Sequence, residues 1–314
     1  MLRLDDDRGA IAVFIAILLI PLLGFTAISL DIAATHAERQ QLQTGADAAA
    51  LAIAQDCARK NCGAPADTAQ SLATLNSNSG AAVAKVDPVP TEDSGRVTVH
   101  TSAVRQHWFA PVLGVDSTEL MASATAGWGS PTGGTSALPI IFSLCDFNKY
   151  SVDGRPSGRE QVIVTTPAGT CTDSVDGSPT YLPGGFGWLE TDVKKSCNAT
   201  TRIGTRAESE PGNTAKHCDL STIRDRTILV PIFDDADPDE KGGQGRGAWY
   251  MVYGYAAFTV TGYHFSGQSW NPPCGGSQRC ISGYFTTMLQ EDPDFDYGPG
   301  GPDLGAAAVV LLPD

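Results

Sequence analysis

Residues 10–30 read AIAVFIAILLIPLLGFTAISL, twenty-one consecutive positions without a charge. In a helix rising about 1.5 Å per residue they extend roughly 30 Å, the hydrocarbon thickness of a bilayer. The chain beyond is too polar to follow them into lipid: 32 acidic and 19 basic residues come after residue 30. The run therefore dictates one transmembrane helix holding a large body on one side of a membrane. A secretory signal peptide is the competing reading. Its apolar stretch is usually about 7–15 residues, shorter than this run, although Ala27, Ser29 and Ala33 could mimic a small-residue cleavage site. Pro21 and Gly24 lie mid-span, where membrane helices tolerate them better than soluble ones, and they predict a bend.

Arg3, Arg8 and the terminal amine precede the run, and Asp31, His36, Glu38 and Arg39 follow it. The positive-inside bias favours a cytoplasmic N-terminus, since Asp5, Asp6 and Asp7 count little in that rule. All eight cysteines (Cys57, Cys62, Cys145, Cys171, Cys197, Cys218, Cys274 and Cys280) come after the run. An even number in an anchored, glycine-rich body predicts disulfides and an oxidising, extracytoplasmic compartment. Sequence neighbours could pair locally as Cys57/Cys62, Cys145/Cys171, Cys197/Cys218 and Cys274/Cys280, one connectivity among many. Zinc would prefer C-x-x-C spacing, which the sequence lacks.

The balance of −13 beyond residue 30 repels phosphates, so nucleic acid is not an expected partner. Acidity of this kind keeps an exported body soluble.

The fold class expected is α+β: a transmembrane and stalk helix with a small α+β unit, then a disulfide-stapled β-rich domain. Residues 1–30 are the cytoplasmic tip and span, 31–128 the α+β unit, 129–136 a linker and 137–314 the β-rich domain. After the span, IAATHAERQQLQTGADAAALAIAQDCA is rich in good helix formers. Leu42, Ala46, Ala49 and Ile53 fall on one stripe. Ala46, Ala48, Ala49 and Ala50 would admit either a neighbouring helix, as in a pilin-like stalk, or an element of the same domain. Gly45 weakens the helix by about 1 kcal/mol relative to Ala. A short helix is expected over residues 68–76, strands in AAVAKVDPV and GRVTVHTSAV, a short aromatic helix over 106–113, and a strand over 116–126. Only 7 of the 34 glycines precede residue 127. The later half offers apolar strand candidates at 138–144, 160–166, 227–233, 249–263, 280–289 and 306–312, with no helical periodicity between them.

The chemistry-bearing motifs are few. No G-x-S-x-G, H-E-x-x-H or Walker pattern occurs. His36, His100, His107, His217 and His264 are scattered. His100 is expected to be solvated and His107 to be packed or hydrogen-bonded. No catalytic residue, cofactor or metal ligand is therefore assigned. The acidic loop Asp234–Glu240 offers oxygen donors that suit calcium, but lacks EF-hand register and reads more simply as a solvated loop. Asp176–Thr180 is a poor match to D-x-S-x-S. Aromatic residues gather at Trp188, Trp249, Tyr250, Tyr253, Tyr255, Phe258, Tyr263, Phe265 and Trp270. Most should be core, with a few exposed ones available for a partner. Asn198-Ala199-Thr200 fits a glycosylation sequon, a match common by chance.

Arg8-Gly9-Ala10-Ile11-Ala12-Val13, the apolar run, Asp31 and Leu42-Gln43-Thr44-Gly45-Ala46-Asp47-Ala48-Ala49-Ala50-Leu51-Ala52 together resemble Tad/Flp pilus-assembly proteins of the TadE/TadG type. The resemblance continues through Trp108-Phe109-Ala110-Pro111-Val112-Leu113-Gly114-Val115 and Ala122-Ser123-Ala124-Thr125-Ala126, covering about residues 8–127. It implies a non-enzymatic, single-pass component of a pilus or secretion system, with pilin or pilus-assembly subunits as partners. Pilins of this class are cut after a Gly with a Glu five residues on. Gly9 and Ala10 could form such a site, but the fifth residue after Gly9 is Phe14. That departure argues for an unprocessed TadG-like assembly factor or a minor subunit. An anchored adhesin or binding module is the alternative, and a cell-envelope enzyme the second.

Overall fold

The computed structural model describes residues 8–91, 95–165, 170–171, 174–175, 178–179, 182–194, 196–210, 217–237 and 247–313. Arg3, Asp5–Asp7, most of the 176–180 string, the Cys171 side chain and positions 238–240 of the acidic loop lie outside them. The architecture is α+β, a long apolar N-terminal helix and a short helix followed by β-rich sheets.

The chain divides into two compact units. The first holds the N-terminal helix up to Cys57, then Asn61–Gly127 and the last residues from Leu311. The second holds Trp128–Val310 with Ala58–Lys60.

In the first unit, helix α1 (Arg8–Ala58) runs for 51 residues and takes Pro21 into its interior. From Val13 to Leu30 every residue except Ala27 is exposed. Helix geometry satisfies the polar groups within this stretch: Thr26 Oγ1 donates to the Leu22 carbonyl (2.8 Å) and Ser29 Oγ to that of Phe25 (2.7 Å). A helix that closes its own hydrogen bonds leaves no bare donor for lipid to desolvate. Burial begins where the apolar run ends. Asp31, Glu38, Leu42, Ala46, Ala49 and Ile53 are all buried. Their spacing of three, four and seven residues places them on one face.

Helix α2 (Pro65–Leu75) follows, with Pro65 in its first turn, where its missing N–H costs nothing. It begins three residues earlier than expected. Its approach to α1 explains Gly45: a Cβ there would stand 3.2 Å from the Ala73 Cα. The small stripe Ala46, Ala49 and Ala50 is fully buried within the chain itself. The pilin-like alternative, in which that stripe meets another subunit, is thereby corrected.

Strands β1 (Val83–Val86), β2 (Arg96–Gln106) and β3 (Ser117–Ser136) pair antiparallel. Val97, Val99, Thr101 and Ala103 of β2 are buried and alternate with more exposed neighbours, the period-two pattern of a half-covered sheet. Leu42, Ala73, Ala82, Ala103 and Leu120 form the small core between helices and sheet. The aromatic helix expected over 106–113 is only a single 3-10 turn, Ala110–Leu113. Pro111 and the flanking Gly114, in left-handed conformation at φ 84°, stop it from extending. Segment 129–136, expected as a linker, is the second half of β3. Glycines there lack the side chains that reveal a strand by periodicity.

In the second unit, β4 (Ile140–Ser143), β5 (Gln161–Val164), β6 (Phe186–Trp188), β7 (Arg206–Glu208), β8 (Thr227–Ala236), β9 (Trp249–Phe265), β10 (Gln268–Trp270) and β11 (Cys280–Thr286) build one eight-stranded sheet. Its main path runs β6-β4-β8-β9-β11-β5, and β7 and β10 also pair with β9. All contacts are antiparallel except β4 with β8. A six-residue helix, α3 (Leu144–Lys149), interrupts the β pattern and was not foreseen. Ser143 Oγ caps it by accepting from the Cys145 N–H, and the helix is too short to show a period.

The core of this unit is aromatic. Phe142 lies 5.0 Å from Phe258, and Phe285 lies 5.0 Å from both Phe147 and Phe258, centroid to centroid. Gly187 is where the Tyr250 ring packs, and a Cβ there would overlap its phenol. Disulfides join Cys57–Cys62, Cys197–Cys218 and Cys274–Cys280. Cys145 is disulfide-bonded too.

Candidate functional site

The aromatic residues of the second half do not form a partner patch. Trp188, Tyr250, Tyr255, Phe258, Tyr263 and Phe265 are buried, and Trp249, Tyr253 and Trp270 are half-buried. Tyr263 stacks on Phe265, and Trp188 meets Phe265 edge-on in the core. Beyond the apolar run, the exposed large aromatics among the described residues are instead Trp108 and Phe109, at 66% and 42%. They belong to the loop 107–115 of the first unit, beside Val112, Leu113 and Val115, which are also exposed.

This loop is held from α1. The Asp31 carboxylate accepts from the backbone N–H groups of Trp108 (2.9 Å), Phe109 (2.8 Å) and Ala110 (2.8 Å). It thus satisfies the unpaired donors at the start of the 3-10 turn, the role a capping carboxylate plays at any helix N-terminus. Burial pushes its pKa up, but the three N–H donors and nearby His107 outweigh that and hold it below the ordinary carboxylate value. The neck of the loop is closed by the His107 N–H donating to the Asp116 carbonyl (3.0 Å). His107 Nε2 also meets Thr118 Oγ1 at 2.8 Å.

Two turns further along α1, Glu38 forms a partly buried ion pair with Arg105 (3.2 Å). The Arg105 guanidinium stands 4.8 Å above the Trp108 ring. Next, the Leu42 carbonyl accepts from Thr101 Oγ1 (2.9 Å), and Gln43 Nε2 donates to the Ser123 carbonyl (3.0 Å). Polar side chains at 31, 38 and 43 thus fasten α1 to its own sheet and loop. Sequence reasoning named Asp31 as a charge flanking the run and as part of a resemblance, and gave it no contact. Its signal was a lone acid directly after an uncharged run, and its partners lie 77–79 residues away.

No group of His, Cys, Asp or Glu among the described residues could hold a metal ion. Asp234 and Asp235 are in β8 rather than a free loop, and burial raises the Asp234 pKa. His36, His100 and His217 are exposed and His264 is half-buried. The His264 Nε2 lies 3.4 Å from the Gly276 carbonyl. An open groove of about 430 Å³ beside α1, lined by Arg39, Gln43, His100 and Met121, brings no acid–base pair together.

What the first unit does resemble is decided by α1. Residues 9–56 match the family model Tad, described as "Putative Flp pilus-assembly TadE/G-like". These residues are a TadE/G-like Tad domain. The Tad match covers nearly all of α1, from the apolar run through Asp31, Glu38 and the alanine stripe, and ends inside the helix. No curated protein matches the chain, and no solved structure does. The Tad helix is also the one candidate membrane span among the described residues, with none of its apolar window buried.

Proposed function

We propose that this protein is a membrane-anchored component of Tad/Flp-type pilus assembly, a TadG-like assembly factor or minor pilin that acts by protein contacts. The observation that carries it is the Tad match on a helix whose first half is bare and apolar and whose second half is built into a folded unit. The N-terminus is cytoplasmic and the disulfide-bonded body extracytoplasmic. Burial of the alanine stripe favours an assembly factor over a major pilin, because a stalk helix would need that face free. The exposed apolar half of α1 is what remains for neighbouring helices in lipid, where close packing drives association.

Deleting the gene and looking for pili by electron microscopy tests this. Loss or shortening of pili is expected. Normal pili with lost attachment would make the protein an adhesin instead.

A further inference from the structure

The loop 107–115 presents Trp108, Phe109, Val112, Leu113 and Val115 to the outside at exposures of 66, 42, 89, 69 and 48%. This is a held conformation. Asp31 fixes the N–H groups of Trp108, Phe109 and Ala110. The Gly114 N–H donates to Pro111 and the Val115 N–H to Ala110. The position of the loop is equally specific. Asp31 is the first charged residue after the uncharged run, so the three bonds set the loop level with the end of that run. On the face of the helix that carries Asp31, one and three turns before it, Ile28 and Ile20 are exposed at 38 and 74%. The apolar surface of the helix therefore continues into that of the loop. Tryptophan favours the headgroup level of a bilayer, where an apolar ring and a polar edge are both accommodated.

We propose that the loop 107–115 is a second membrane contact, its Trp108, Val112 and Leu113 side chains inserted into the headgroup–acyl boundary of the bilayer that α1 crosses. The loop fixes how far the helix sinks and the tilt of the first unit on the membrane surface. The proposal rests on the reading of α1 as a membrane span.

The test uses the full chain in phosphatidylcholine nanodiscs carrying bromine either high on the acyl chain or deep. Tryptophan emission is read from the native protein, from Trp108→Phe and from Phe25→Trp. The expected result is quenching of the native protein by shallow bromine that Trp108→Phe abolishes in large part, with deep bromine less effective. Equal quenching of native protein and Trp108→Phe overturns the proposal. So does a Trp108 emission that is blue-shifted yet unquenched, which would mean that a protein covers the loop. The Phe25→Trp probe separates the two readings. If it is quenched by deep bromine while Trp108 is untouched, the anchor stands and the loop contact falls. If neither is quenched, the anchor reading itself fails.

Discussion

The carboxylate of Asp31 accepts a hydrogen bond from the Trp108 backbone N–H at 2.9 Å, across 77 residues of sequence. This bond and its two neighbours join the end of the apolar run to the exposed aromatic loop. Asp31→Ala leaves three backbone donors without their acceptor, whereas Asp31→Asn keeps one acceptor oxygen. We expect amide exchange at Trp108, Phe109 and Ala110 to quicken by about tenfold or more in Asp31→Ala, with Asp31→Asn between it and the native protein. Hydrogen exchange read by mass spectrometry on the detergent-solubilised chain checks this. Unchanged exchange would remove the latch.

Two carboxylates should give opposite local responses to acid. Asp31 has a folded pKa below its ordinary 3.8. Its contribution to stability is full above the unfolded value and is lost as pH falls through the folded one. Asp146, in α3, is raised above 3.8 by burial, against a hydrogen bond from the Gly185 N–H and the charge of Lys149. Its ionisation therefore costs stability as pH rises through its folded pKa. Acidification below about pH 4 should loosen the loop 107–115 and leave the α3 region firmer. Site-resolved exchange across a pH series reads both.

Gly45 sits where α2 crosses α1, with the Ala73 Cα in the way of any larger residue. Gly45→Val should cost about 1–3 kcal/mol through overpacking, despite removing a helix-weakening glycine. Chemical denaturation followed by circular dichroism measures it, and a gain in stability would contradict the close approach.

The Phe142–Phe258–Phe285 cluster holds the large sheet together. Phe258→Ala should lower stability by about 3–5 kcal/mol. The same denaturation experiment reads it, and a loss under about 1 kcal/mol would show that the cluster is not the core.

Cys197–Cys218 closes a loop with a sequence separation of 21. Replacing both by Ser should cost about 2–4 kcal/mol. After mild reduction of intact cells, a membrane-impermeant maleimide should label the half-exposed Cys274 of the Cys274–Cys280 bridge. Labelling that requires permeabilised cells would reverse the topology.

Some of this was legible in the residues alone because it depends on local pattern. The uncharged run specifies its own helix by length and apolarity, and β2 its half-buried state by alternation. Other features depend on what distant segments bring. Nothing near Asp31 in sequence says that its carboxylate caps a turn around residue 110, because the donors arrive only when the sheet folds back along α1. The alanine stripe looks the same whether its partner is another subunit or the chain's own sheet, and only tertiary packing chose. Likewise the aromatic residues of β9 and the pair Trp108–Phe109 are equally apolar by composition. The first are core because Phe142, Phe285 and Phe295 from other segments pack against Phe258 and Tyr255, and the second are exposed because three backbone bonds hold their loop open.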